Sequence, residues 1–171
     1  MNSVTAPVFR FGNDVDTDVI VPGQYLKLSY EEAAAYVMEG IRPGFCNLLQ
    51  NGGIIIAGEN FGCGSSREAA PAALKFAGIR AVIAPYFARI FYRNAINVGL
   101  PAIECPEVVE SPIQEGEWVT IDFVSAFIQH NRTGNQWPYA PLSLHLREIL
   151  LAGGLVPYLK GQRQSDKGAR S

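Results

Sequence analysis

The sequence predicts an α/β domain on a largely parallel central sheet. Three observations carry this expectation. Apolar runs and helix signals alternate β–α–β–α–β from Gly53 to Cys105, an order that implies parallel strands joined by right-handed crossovers. Ile54-Ile55-Ile56-Ala57 is a continuous apolar run, as a strand in the interior of such a sheet requires. From Val108 to Tyr139 the texture changes to hairpin-type turn signals, which adds a β-rich portion.

Size and composition fit this class. A chain of 171 residues, 48% hydrophobic and 18% charged, suits one core-rich domain over 1–161, followed by a loose polar tail over 162–171. A net charge of −2 gives no electrostatic case for nucleic acid or an anionic membrane. No apolar run approaches the ~20 residues of a membrane span, and the start lacks the plan of a secretion signal. Cys46, Cys63 and Cys105 are odd in number and widely spaced, so they form no disulfide framework, and a reducing cytoplasm is expected.

Taken in order, Val4 to Phe11 reads as a first strand. Asn13 to Asp18 holds aspartates at 14, 16 and 18; a calcium loop lacks its downstream glycine and glutamate, which leaves a turn braced by Asx side chains. Pro22-Gly23 stops a short apolar segment. Tyr30 to Gly40, with Glu31 and Glu32 at its start and Ser29 as cap, predicts a helix. The central strand at Ile54 leads into a loop carrying Gly58, Gly62 and Gly64. Ser65-Ser66-Arg67-Glu68 matches a capping box and predicts a helix from Ser65 to Gly78, although Pro71 falls slightly late for its first turn. Ala81 to Ala84 is a second buried strand, Tyr86 to Val98 a helix ended by Gly99, and Ala102 to Cys105 a third strand. Trp118 to Phe123 alternates as a strand after a turn at Glu115-Gly116-Glu117. A second turn at Arg132 to Asn135 leads to Gln136-Trp137-Pro138-Tyr139. Leu142 to Ala152 predicts a last helix, closed by Gly153-Gly154.

The strand–loop–helix unit from Gly53 to Gly78 carries the chemistry. Free N–H groups and a helix dipole at its mouth favour an anion, and Arg67 adds a guanidinium fork suited to carboxylate or phosphate. A serine hydroxyl there is eased toward alkoxide and hence toward service as a base or nucleophile. The same residues also read as a plain helix cap and a solvated arginine, and the local pattern leaves both readings open. Cys63 in this loop sits where a helix terminus activates a thiol. Its sequence spacing to Cys46 and Cys105 fits neither zinc nor an iron–sulfur cluster. Arg89 and Arg93 share a helix face that either holds a carboxylate or is simply exposed.

The longer string Gly58-Glu59-Asn60-Phe61-Gly62-Cys63-Gly64-Ser65-Ser66-Arg67-Glu68 closely resembles the signature of the swivel domain of the aconitase superfamily. Asp14 to Leu26, Ala77 to Pro101 and Leu150 to Leu159 resemble the family's other segments in the right order. The chain is similar over nearly its whole length to the small subunits of 3-isopropylmalate dehydratases, of the archaeal-type length class. The resemblance implies a three-layer swivelling β/β/α fold, and a hydro-lyase that dehydrates and rehydrates a small hydroxy di- or tricarboxylic acid, in leucine biosynthesis. It implies a large subunit bearing a [4Fe-4S] cluster as Lewis acid, with no cofactor or metal held by this chain, which is then inactive alone. Self-association of the isolated chain is left open.

Carried over residue by residue, Ser65 is the catalytic base. Ser66 and Arg67 hold substrate carboxylate, Asp18 points into the site, and Lys27 lies in the loop facing the variable arm of the substrate. Two departures stand out. Ala69 replaces the histidine frequent after the R-E pair. Lys27 places a cation where an isopropyl arm favours an apolar residue; it suits a further carboxylate, as in homoaconitase-like relatives, or turns to solvent. Homoaconitase, methylmalate or 2,3-dimethylmalate dehydratase small subunits are therefore alternatives. A non-catalytic binding module of the same fold is a further one, which retention of both serines and the arginine disfavours.

Overall fold

The structure is a computed structural model that describes residues 2–65 and 67–168, with side chains through 163. Seven strands form one sheet in the order β4-β3-β2-β1-β5-β6-β7. They are β1 (Ser3–Arg10), β2 (Gly53–Ile56), β3 (Ile79–Ala84), β4 (Ala102–Glu104), β5 (Trp118–Asp122), β6 (Phe127–His130) and β7 (Gln136–Pro138). β1 to β4 pair in parallel. β5 joins β1 antiparallel, and β6 and β7 continue antiparallel. The helices are α1 (Thr17–Ile20), α2 (Tyr30–Ala33), α3 (Ala69–Phe76), α4 (Arg89–Val98), α5 (Pro106–Val109), α6 (Leu144–Leu151) and α7 (Leu155–Gly168). The α/β class, the central parallel sheet and the interior position of Ile54–Ile56 are as the sequence predicts.

Two apolar layers explain why the central strands are not alternating. Ile55, Ala57, Val82 and Ala84 face the layer shared with Leu74 of α3 and with Phe91 and Ala95 of α4. Ile54, Ile56, Ala81 and Ile83 face the opposite layer, closed by Val119 and Ile121 of β5, Ile128 of β6, and Val108 of α5. The sheet therefore curls so that its antiparallel half covers its parallel half, giving β/β/α layering. Each fully buried isoleucine of β2 contributes about 1.5–3 kcal/mol, so this strand cannot sit at an edge without large loss.

Three local expectations are corrected. The helix expected from Ser65 begins at Ala69. Pro71 supplies one reason: an earlier start would set its ring against the carbonyl of Arg67, whereas at the third helical position its missing N–H has no partner to lose. The helix expected over Tyr30–Gly40 is capped by Ser29, with Glu32 completing the capping box, yet α2 ends at Ala33. A 3₁₀ turn over Ala34–Tyr36 and a left-handed Met38 (φ 62°) then bury Val37 and Met38 completely. β6 is an additional strand, joined to β5 by a turn in which Asp122 accepts from the Val124 and Ser125 amides at 2.8 and 2.7 Å. α7 runs through part of the polar stretch expected as a loose tail, and residues 169–171 of that stretch lie outside the described residues.

Candidate functional site

Two loops leave the carboxyl ends of β1 and β2, neighbours in the sheet, and run side by side. Open α/β sheets place their ligands at this end. Backbone bonds zip the loops together: Gly58 N–H to Gly12 O (3.0 Å), Asp14 N–H to Glu59 O (2.9 Å), Gly62 N–H to Val15 O (2.8 Å) and Thr17 N–H to Cys63 O (2.9 Å). Asn60 donates to the Asp14 carboxylate at 2.9 Å. Asp16 caps α1 by accepting from the Val19 amide at 2.7 Å, so its aspartate works as the Asx brace expected.

Aromatic packing holds the glycine loop from below. Phe61 contacts Phe91 edge-on with ring centres 5.2 Å apart, and Phe87 stacks on Phe91 at 6.0 Å. The Ala88 amide donates to Phe61 O at 3.1 Å, which ties the entry of α4 to the loop. Gly62 has φ 80° and lies against Phe91, where a Cβ would collide with the ring. The glycine thus permits both the left-handed turn and the close approach.

Ser65 sits at the end of this scaffold, half-buried. The Thr17 side-chain oxygen accepts from the Ser65 amide at 3.1 Å, lies 3.1 Å from Ser65 Oγ, and is 3.3 Å from the Ser65 carbonyl. Thr17 itself is 4% exposed. This clasp is the second reason why the helix does not start at Ser65: its hydroxyl and amide are committed to α1, not to capping. The expected dipole field is correspondingly weaker, because α3 begins only at Ala69 and two loop amides, of Gly62 and Ser65, are already bonded. Hydroxyl pairing and Arg67 remain as the local sources of anion stabilisation.

Arg67 is exposed and pairs with Asp18 through Nη1 at 3.3 Å, so the structure brings the loop before α3 against the first turn of α1. An open pair of this length is weak, about 0–1 kcal/mol, and leaves the other guanidinium N–H groups available to a ligand. Lys27 is exposed beyond the 3₁₀ turn Gly23–Tyr25, and no hydrogen bond or ion pair joins it to Ser65, Arg67 or Asp18. Ser66 lies outside the described residues. Ala69, at the first position of α3, offers only a methyl where the family frequently has imidazole.

The cysteines do not converge. Cys46 Sγ donates to Ala34 O at 2.8 Å, and Cys105 is buried beneath the opposite face of the sheet. Cys63 is not an activated thiol: burial, then the charges of Asp16 and Asp14, push its pKa up, and no helix begins at it. Among the described residues no group of three or more His, Cys, Asp or Glu side chains is placed to hold a metal ion, and this donor set does not fit an iron–sulfur cluster. No helix among them is long and apolar enough to cross a membrane. The family resemblance singles out Thr17 beside Asp18 but gives Thr17 no role; only the fold reveals that its hydroxyl meets Ser65.

The model of the aconitase C-terminal domain matches residues 49–108, from the approach to β2 to α5. The 3-isopropylmalate dehydratase small subunit of Aliarcobacter butzleri is 50% identical over 95% of this chain and 97% of its own. The methanogen homoaconitase small subunit of Methanothermobacter thermautotrophicus is 51% identical over 90% of this chain and 89% of its own. The crystal structure of 3-isopropylmalate dehydratase from Methanocaldococcus jannaschii superposes with a TM-score of 0.89 at 44% identity, covering 99% of both chains. With half of its residues shared over nearly its full length, and with the same fold, the chain belongs to the 3-isopropylmalate dehydratase small-subunit family of the aconitase superfamily.

Proposed function

We propose that this chain is the small subunit of a hydro-lyase that interconverts 2- and 3-isopropylmalate by dehydration and rehydration, a cytoplasmic step of leucine biosynthesis, together with a large subunit. In this reading the Lewis acid that binds the substrate hydroxyl and one carboxylate is a [4Fe-4S] cluster on the large subunit, since the cysteines of this chain are too dispersed to hold one.

The work of this chain is proton transfer and carboxylate binding. Ser65 Oγ takes the proton from the carbon alpha to a carboxylate as hydroxide departs from the neighbouring carbon. In the rehydration that completes the isomerisation it returns a proton to the carbon that lost hydroxide, while hydroxide from water adds to the carbon that lost the proton. Thr17 has a single hydroxyl proton and two acceptors within reach, Ser65 O at 3.3 Å and Ser65 Oγ at 3.1 Å. When Oγ carries negative charge, donation to Oγ is the stronger bond, so Thr17 steadies the base without moving. Arg67, together with Ser66, grips a substrate carboxylate, and Asp18 aims the guanidinium. The observation that carries this reading is the Thr17–Ser65 clasp beside a partly free arginine. A mere cap or scaffold has no use for a serine turned away from its helix.

A second reading, a homoaconitase-type substrate with an additional carboxylate, is favoured by one observation: the exposed cation of Lys27 in the loop assigned to the variable arm. The 51% identical relative named as a methanogen homoaconitase small subunit is consistent with it. Anaerobic reconstitution with the large subunit, assayed against isopropylmalate, homocitrate, methylmalate and 2,3-dimethylmalate, separates the two. Preference for isopropylmalate supports the first reading, preference for homocitrate supports the second, and no turnover of any hydroxy acid removes both.

A further inference from the structure

At the opposite end of the parallel strands from Ser65 lies a cavity of about 200 Å³ that the proposed reaction does not use. It opens between the start of β3, the turn before β4, and α6. Phe123, Leu150 and Leu151 are among the apolar residues that wall it, and the charged residues lining it are Lys75, Arg80 and Arg147, all cations. Among the described residues no carboxylate lines it.

The three cations are not equivalent. Lys75 is half-buried and donates to Val98 O at 2.7 Å and Gly153 O at 2.8 Å, carbonyls at the ends of α4 and α6. Lys75 is thereby a brace between helices, and its positive charge is met by dipoles only. Arg80 makes one long bond, 3.4 Å, to Thr5 O. Arg147 donates no side-chain hydrogen bond and forms no ion pair among the described residues, and its charge is felt only by the neutral Tyr139 phenol. An apolar chamber with an uncompensated guanidinium at its mouth matches a ligand with an aliphatic body and one anionic end.

We propose that this cavity binds a small aliphatic carboxylate, its hydrocarbon chain against Phe123, Leu150 and Leu151 and its carboxylate held by Arg147, with Arg80 adding charge. At roughly 30 Å³ per water-sized group, the volume takes about six or seven heavy atoms, so a chain near six carbons fills it with the carboxylate at the rim. Each buried methylene strengthens binding about fourfold, a gain that stops when the chamber is full.

Calorimetric titration of the full chain with butanoate, pentanoate, hexanoate, octanoate and hexanol tests this. Affinity should climb about fourfold per methylene up to hexanoate and level off by octanoate, with hexanol at least about tenfold weaker than hexanoate. Arg147→Gln should weaken hexanoate about tenfold and leave hexanol unchanged, and Leu151→Trp should block both while the melting temperature stays near wild type. Hexanoate binding no tighter than hexanol, a flat chain-length series, or wild-type affinity in both variants would overturn the proposal. So would no detectable heat at millimolar hexanoate.

Discussion

The Thr17 side-chain oxygen stands 3.1 Å from both the amide nitrogen and the hydroxyl oxygen of Ser65, so one buried threonine fixes the backbone and the side chain of the proposed base together. Thr17→Val keeps the shape but leaves the Ser65 amide without its acceptor, at a cost of about 1–3 kcal/mol. In the reconstituted enzyme it should lower kcat about tenfold or more with little change in KM, and Thr17→Ser should restore most of the loss. Equal loss in Val and Ser variants would assign Thr17 a packing role only.

Arg67 and Asp18 allow a separation of binding from folding. Because their pair is exposed, Asp18→Asn should shift stability by no more than about 0.5 kcal/mol. Arg67→Lys should keep the charge, lose the fork, and raise KM much more than it lowers kcat. Steady-state kinetics of both variants, beside their thermal melts, checks this; a KM unchanged in Arg67→Lys would remove the arginine from the carboxylate site.

Gly62 tests the scaffold under the loop. Gly62→Ala must place a methyl into the Phe91 ring at φ 80°, so it should cost about 2–5 kcal/mol and lower the melting temperature clearly. A variant as stable as wild type would show that the loop has room to shift.

Alkaline pH probes the opposite face. Tyr139 donates to Asp122 O at 2.9 Å, and burial pushes its phenol up to about 12. The fold favours the neutral phenol, so this contribution is whole below pH 10, the ordinary tyrosine value, and is lost as pH rises through about 12. Tyr139→Phe should lose about 1 kcal/mol at neutral pH for the missing hydrogen bond, and should fall less steeply than wild type between pH 10 and 12. Parallel alkaline limbs in melts of the two proteins would contradict the assignment.

Most of the sheet was legible because its signals are local. The Ile54–Ala57 run can only be buried on both faces, and the strand and helix signals after it impose the parallel order. The Ser29 cap likewise reads true, since its partners lie within one turn. The start of α3 was not legible, because the competing partner of Ser65 is Thr17, 48 positions away, and no local pattern reports it. β6 was hidden by a turn whose left-handed residue is Ala126 (φ 53°) where a turn motif expects glycine or asparagine. At the candidate site the signature marks Ser65 and Arg67, and the fold sets them beside Thr17 and Asp18, but the field at Ser65 was not legible. The sequence suggests a helix dipole at Ser65, whereas the fold supplies a threonine hydroxyl and an arginine.

Ser65 is proposed to act as a base and not as a structural hydroxyl. Its most direct test is kcat of Ser65→Ala reconstituted with the large subunit, measured beside complex formation and melting temperature. Losing Oγ forfeits one hydrogen bond to Thr17, about 1 kcal/mol, while the amide bond to Thr17 remains. The variant should form an intact complex, melt only slightly lower, and show kcat reduced on the order of 10²-fold or more. A Ser65→Ala enzyme that assembles and keeps kcat within a few-fold of wild type would contradict this role.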